Sequence, residues 1–292
     1  MRIRMLASYL LALTCFAGTT RAGGGAAAPV MPEIVVSPLQ EEQSVGAYNQ
    51  PEWTTERRFP TTRVYLQQPP YSVGVEQWVR SKYYEGKRGK HRIQEEVEIG
   101  LPHRFQVDLY ENMEMNEHGT LYHDNVALEI RYALADWGRI PMNPTVYAEY
   151  KLKDEADDVV EAKLLLGDEL ARAWHWGVNL VYEGDVGGEE RVREYAASAA
   201  LSRTLVDRRL SLGAETLFTT ESVDGARGEP ENSLNAGPSL QWRPTHCSHV
   251  DLVAMPGLTD DAPDLLTYVV LGVDFGRGEE KNIRAPTSLQ SN

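Results

Sequence analysis

The chain has 292 residues and is short of cysteine, of basic side chains and of long apolar runs. Of its two cysteines, Cys15 falls within an amino-terminal apolar stretch, so only Cys247 is left once that stretch is removed. No internal disulfide can then form, and stability must come from hydrogen bonds and packing. Lys and Arg number 29 against 43 Asp and Glu, a formal charge of -14, with no basic cluster dense enough to offset it. Nucleic acid is excluded as a partner on that ground, because phosphates demand a basic footprint. Beyond residue 22 no run of 18 apolar residues occurs, which excludes a helical membrane span but not a barrel, whose strands need only every second residue apolar. Also missing are a hydrolase nucleophile elbow, a phosphate-cradling glycine loop, paired cysteines and the H-E-x-x-H zinc motif. An enzyme and a cofactor are therefore not expected.

At the amino terminus Arg2 and Arg4 precede an apolar run from Met5 to Gly18, followed by T-T-R-A-G-G-G. This pattern reads as a secretory signal peptide over residues 1–22, with the cell envelope as its address. Cleavage there leaves 26 basic and 43 acidic residues, a net charge of -17. Lipidation at Cys15 is the lesser reading, since Thr14 stands where a smaller residue is wanted. Residues 23–72 carry Pro29, Pro32, Pro38, Pro51, Pro60, Pro69 and Pro70, which interrupt any regular helix or central strand. They form a Pro-rich periplasmic leader that acts as a spacer, or else plugs a lumen or touches the cell wall. Residues 277–292 are a polar tail.

From 73 to 276 the pattern has period two. In R-F-Q-V-D-L-Y-E-N at 104–112, Phe105, Val107 and Leu109 share one face while Arg104, Gln106, Asp108, Tyr110 and Asn112 share the other. Val126, Leu128, Ile130, Tyr132 and Leu134 oppose Glu129 and Arg131; Trp174, Trp176, Val178, Leu180 and Tyr182 oppose His175, Gly177, Asn179 and Glu183. Twelve strands are expected, at 73–84, 91–101, 103–115, 122–134, 143–153, 158–168, 171–183, 192–204, 208–219, 232–243, 246–257 and 265–276. Each is about as long as a tilted strand crossing a bilayer, roughly 9 to 11 residues. Tight turns alternate with longer polar loops, as in outer-membrane barrels. The medium-length A-D-W-G-R-I-P-M at 135–142 and the short 154–157 break this alternation. An even strand count puts both chain ends on the tight-turn, periplasmic side.

A soluble sandwich or lipocalin-like barrel would alternate equally well. Two features favour the membrane: Trp174, Tyr182, Trp242 and Phe275 lie near strand ends, where amphipathic rings suit the interface, and small residues such as Ala196, Ser198, Ala200, Ser202, Gly213, Gly237 and Ser239 suit a curved wall. Pro238 conflicts with a regular strand, and a bulge at Gly237-Pro238 is expected to bend the wall.

The segments E-E-V-E-I-G-L-P-H-R-F-Q-V-D-L-Y at 95–110, G-A-E at 213–215, N-A-G-P-S-L at 235–240 and L-G-V-D-F-G at 271–276 resemble the phenol-degradation MetA-type outer-membrane barrels, a set of transporters, over most of residues 73–276. The resemblance implies a Gram-negative outer-membrane β-barrel that passes small organic solutes and brings no catalytic residues. Gly272 and Phe275 fit the terminal insertion signal of such barrels, whereas Arg277 replaces an apolar residue.

The expected architecture is thus all-β: an antiparallel transmembrane β-barrel of about twelve strands with an irregular leader. Its lumen-facing charges, the candidate solute path, are Glu96, Glu98, Arg104, Asp108, Glu129, Arg131, Glu149, Lys151, Glu161, Lys163, Glu215, Arg243 and Asp251. Facing Arg or Lys toward lipid at mid-depth would cost about 2–4 kcal/mol each. The pairs Glu129 with Arg131, Glu149 with Lys151 and Glu161 with Lys163 suit either a zippered interior or a narrow charged channel. No metal site is expected: His246 and His249 point to opposite faces of a strand, His118 and His123 flank a loop tip, and the acidic groups at 154–158 and 260–264 read as solvated loops. The expected function is a passive or facilitated channel for small solutes, with outer-membrane lipid and the barrel-insertion machinery as partners. The alternatives are a structural or adhesive barrel without transport, and a soluble periplasmic carrier of an apolar ligand.

Overall fold

Period-two alternation leaves each strand one apolar and one polar face, and a sheet with two such faces is stable when it closes on itself and leaves no edge. The computed structural model describes residues 39–116, 118–188 and 190–276. The expected signal peptide at 1–22, the first part of the expected leader and the expected tail at 277–292 lie outside the described residues. The described chain opens with two single-turn 3₁₀ helices, Gln40–Glu42 and Glu52–Thr55, and a two-residue ladder between β1 (Ser44–Val45) and β2 (Gln50–Pro51).

Twelve long strands follow: β3 (Val73–Tyr83), β4 (Lys90–Leu101), β5 (Phe105–Met115), β6 (Leu121–Ala133), β7 (Thr145–Lys153), β8 (Val159–Ala171), β9 (Trp174–Asp185), β10 (Val192–Val206), β11 (Leu210–Val223), β12 (Glu231–Thr245), β13 (Ser248–Pro256) and β14 (Leu265–Phe275). Consecutive strands pair antiparallel, and β14 pairs with β3 from Val73↔Phe275 to Tyr83↔Leu265, so the sheet is a closed barrel. The twelve expected strands are all present, their ends displaced by up to a few residues.

Which face looks outward decides the environment. Leu128 is 46% exposed while its neighbour Glu129 is fully buried, and Leu180 is 50% exposed beside Asn179 at 2%. The apolar face is therefore the outer skin. Val97, Leu109, Ile130, Leu212, Leu252 and Leu271 extend it around the circumference, with Tyr195, Trp242 and Phe275 near strand ends. A skin of this kind is stable in hydrocarbon, with the polar faces enclosed.

On the side where both barrel ends lie, turns at 102–104, 172–173, 207–209 and 246–247 are tight. His103, Arg104, Ala173 and Arg208 adopt positive φ there to reverse the chain. The 134–144 connection on this side is longer. The opposite connections, 84–89, 116–120, 154–158, 186–191, 224–230 and 257–264, form the loop side.

The region of Pro238 departs from expectation. The β11–β12 register runs unbroken through Ala214↔Pro238, so there is no bulge at Gly237-Pro238. The ladder from β12 to β13 instead lapses between Ser239↔Val253 and the isolated bridge Asn235↔Gly257, which keep one register. A proline that cannot donate is accommodated by a gap in pairing without an extra residue.

Leu128→Arg, near the middle of β6 on the outer skin, is expected to destabilise the barrel by about 2–4 kcal/mol in denaturant titrations in lipid vesicles. An unchanged midpoint would contradict the orientation.

Candidate functional site

The lumen is lined by charge and filled, at its middle, by the chain's own residues 39–72. Most side chains from Gln50 to Ser72 are buried, including Trp53, Phe59, Tyr65 and Leu66, although strands make up the entire wall. The wall makes room for them with small residues. Pro69 and Gln68 lie so close to Gly100 that a Cβ there would strike their backbone, and Val64 presses on the cross-strand pair Gly167 and Gly177. The backbone ties in as well: Tyr71 N–H donates to Gly100 O at 2.8 Å and Gly100 N–H to Ser72 O at 2.9 Å.

Polar contacts hold this plug around its girth. The Arg57 guanidinium lies among three carboxylates, 2.7 Å from Glu76, 3.2 Å from Glu96 and 3.0 Å from Glu98. Arg63 reaches Glu96 at 3.2 Å and the Tyr110 hydroxyl at 3.0 Å. Arg63 N–H donates to Asn179 Oδ1, and the Asn179 amide donates back to Arg63 O, at 2.8 and 2.7 Å. The backbone N–H groups of Gln67 and Gln68 both donate to Gln106 Oε1, and Thr61 N–H donates to Glu215. Arg243 pairs with Glu56, and the Gln241 amide donates to Arg57 O at 2.6 Å. Glu76, Glu96 and Glu98 place oxygens within 4.8 Å of one another, a spacing that would suit a cation, and here Arg57 supplies the positive charge.

The 134–144 connection is the plug's clasp. Trp137 packs edge-on against both Trp53 and Tyr65, its backbone N–H donates to Tyr48 O at 2.9 Å, and the Tyr65 hydroxyl donates to Ala135 O at 2.8 Å. Burial and the nearby Asp136 carboxylate push the Tyr65 phenol well up, so it stays a donor. The connection is too long for a tight turn because it folds inward over the leader.

Twelve of the thirteen candidate residues face the lumen. Glu96, Glu98, Asp108, Glu129, Arg131, Glu161, Glu215, Arg243 and Asp251 are buried there, and Glu149, Lys151 and Lys163 are half-buried. Arg104 is the exception and corrects the alternation drawn from 104–112. Positive φ at His103 and Arg104 breaks the pleat before β5 begins, and the side chain pairs with Asp136 at the rim, 3.1 Å away. His249, which the sequence places on the opposite strand face from His246, is buried in the lumen between Asp251, at 2.5 Å, and Glu76, at 3.3 Å.

The register brings the acids into one line. Glu98, Asp108, Glu129, Glu149, Glu161, Glu183, Glu194, Glu221 and Glu231 are successive cross-strand partners from β4 to β12. Because the strands are staggered, this row climbs from near the tight-turn rim at Glu98 to the loop side at Glu231. Like charges directly opposite one another are destabilising, so the row requires compensation. Arg131 supplies it to Asp108, at 2.7 Å, and to Glu129; Lys151 supplies it to Glu161 and Glu183, at 2.6 and 2.5 Å; Lys163 also pairs with Glu161. Glu98 is served from the plug by Arg57.

Space remains above and below. On the loop side a cavity of about 330 Å³ is lined by residues including Arg63, Arg80, Lys82, Glu183 and Glu194, and a second of about 890 Å³ by Lys87, Lys90 and Arg92 among others. On the tight-turn side a cavity of about 640 Å³ lies against Gln43, Glu52, Arg208 and Cys247. Plug residues border both ends, Thr61 and Arg63 on the loop side and Gln43, Glu52 and Pro69 on the tight-turn side.

Sequence reasoning did not single out the individual plug residues or the basic run Arg80, Lys82, Lys87, Arg88, Lys90 and Arg92, which is local and leaves the acidic balance of the chain as it was. Its signal was present: six cations within thirteen residues of an acidic chain. All but those in the 84–89 loop lie on strands, so the run shapes a cavity mouth.

A closed twelve-strand antiparallel meander with an apolar skin and a charged, enclosed lumen is the architecture of an outer-membrane β-barrel. Among solved structures the chain is similar to an outer membrane channel from Pseudomonas putida F1, at 12% identity and TM-score 0.51, covering 71% of this chain and 97% of that one. It also aligns with the NanC porin at 12% identity and TM-score 0.48, covering 70% and 99%. At this identity the likeness is one of fold. No family model matches the chain, and neither does any curated protein.

Arg57→Ala leaves three buried carboxylates without their shared cation and is expected to loosen the plug by about 3–5 kcal/mol. The measurement is trypsin cleavage after Arg58 and Arg63 in the detergent-folded barrel, with heat-modifiable gel migration confirming that the barrel persists. Unchanged protection would show that the plug does not depend on this guanidinium.

Proposed function

We propose that the protein is an outer-membrane channel for small solutes whose lumen is closed by its own residues 39–72 and opens when that segment shifts. The observation that carries this reading is the placement of cavities of about 330 and 640 Å³ on either side of a plug held around its girth by ion pairs and polar hydrogen bonds, beside its aromatic clasp on Trp137. Water and ions can replace such contacts at far lower cost than the tight packing of an apolar core, so the plug is exchangeable where a core is not. The candidate path runs along Glu98, Asp108, Glu129, Glu149 and Glu161 with Arg131, Lys151 and Lys163 beside them. Glu96, Glu215, Arg243 and Asp251 anchor the plug or its surroundings. Catalysis has no part in this reading, and lipid and the insertion machinery are the partners.

The resemblance of 95–110 and 271–276 to phenol-degradation MetA-type barrels supports passage of small organic solutes, and the similarly folded Pseudomonas putida F1 protein is an outer membrane channel. A structural barrel without transport is the rival reading, favoured by how completely the plug fills mid-height.

Planar-bilayer conductance of the full chain and of a variant lacking residues 39–70 separates the two. Discrete steps that are rare in the full chain and frequent, with larger amplitude, in the variant are expected. Silence from both, with insertion verified by heat-modifiable migration, would favour the structural role.

A further inference from the structure

Two arrangements at the loop-side mouth weaken the barrel and have no structural explanation in their own pairing. On β3 and β4, Arg80 is the direct cross-strand partner of Arg92, and Lys82 of Lys90. On β9 to β12 the carboxylate row ends with Glu183, Glu194, Glu221 and Glu231, again partner beside partner. Each like-charged pair opposes sheet formation. Local compensation is incomplete on both walls: among the described residues no opposite charge lies within 4.0 Å of Lys82, Lys90, Glu194 or Glu221. Glu183 has Lys151 and Arg92 has Glu114, so the unpaired groups sit higher, toward the loops.

The topology sets these walls face to face. In the closed order β10-β11-β12-β13-β14-β3-β4-β5-β6-β7-β8-β9, β4 lies six places from β10 and β3 six places from β9, so each is diametrically across the lumen from its counterpart. Arg80, Lys82 and Arg92 line the same cavity as Glu183 and Glu194. Its volume, about 330 Å³, suits a small molecule. A field therefore crosses this vestibule from one wall to the other, at right angles to the barrel axis.

We infer that the loop-side vestibule recognises small zwitterions, with the ammonium end held by Glu183 and Glu194 and the carboxylate or phosphate end by Arg80, Lys82 and Arg92. A simple anion meets one wall and is repelled by the other, and a simple cation likewise. A dipolar solute satisfies both at once. It also brings an opposite charge to Lys82 and Glu194, which have none within 4.0 Å among the described residues, so binding relieves repulsion on two walls. The inference rests on the channel reading for its biological sense, but recognition is measured apart from passage.

The test is calorimetric titration of the full, detergent-folded chain with three probes of matched length: 4-aminobutyrate, butyrate and butylamine. 4-Aminobutyrate is expected to bind about tenfold tighter than either singly charged probe, one further charge-assisted contact being worth that much. Glu194→Gln is expected to erase most of that preference, and Glu194→Lys to invert it in favour of butyrate. Both variants are checked for folding by heat-modifiable migration, and the milder Glu194→Gln carries the test if the reversal does not fold. Butyrate binding as tightly as 4-aminobutyrate would overturn the proposal in favour of an anion site, and butylamine doing so in favour of a cation site. Unchanged affinities in Glu194→Gln would also overturn it. A silent bilayer with the zwitterion preference intact would instead sink the channel reading alone.

Discussion

Closing a sheet in a membrane turns every inward-facing charge into a problem that must be solved inside the cylinder, because hydrocarbon offers no water on the outer side. This barrel carries nine carboxylates in successive register across nine strands, an arrangement that by itself opposes strand pairing. The remaining lumen chemistry can be understood as the response to it. Arg131, Lys151 and Lys163 answer from the wall, and Arg57 and Arg63 answer from a segment that is not part of the wall at all.

That division of labour explains why the leader enters the barrel. Its segment brings Arg57, Arg58 and Arg63, glutamines that satisfy Gln106 and Glu98, and the aromatic pair Trp53 and Tyr65 that closes on Trp137. Prolines that prevent regular structure are an advantage here, since an irregular chain can turn its backbone donors toward wall acceptors such as Asn179 and Glu215. The ion pairs confine the segment alongside the aromatic contacts of Trp53 and Tyr65 with Trp137.

How much of this could be read in advance differs from element to element. Strands as clear as 126–134 carry their face assignment in local alternation, and Glu129 and Arg131 lie inside as that alternation requires. Arg104 shows the limit of the method: one residue before the strand, a positive φ in the turn takes it out of the pleat. Pro238 shows another limit, since a missing donor can be met by an extra residue or by a lapse in pairing, and only the neighbouring strand decides between them. The basic run from Arg80 to Arg92 was visible as composition, but its meaning depends on which strands stand opposite.

Period-two hydropathy by itself determined the strand count and which side chains share a face, because side-chain alternation is a local property of extended backbone, whereas it reads the same in a soluble barrel and in a membrane one. Register, closure and the contents of the lumen were decided by the tertiary structure. Whether Glu161 meets Glu183, whether β4 faces β10, and whether Arg57 reaches Glu98 across 41 positions of sequence all depend on stagger and ring closure, which no single strand encodes.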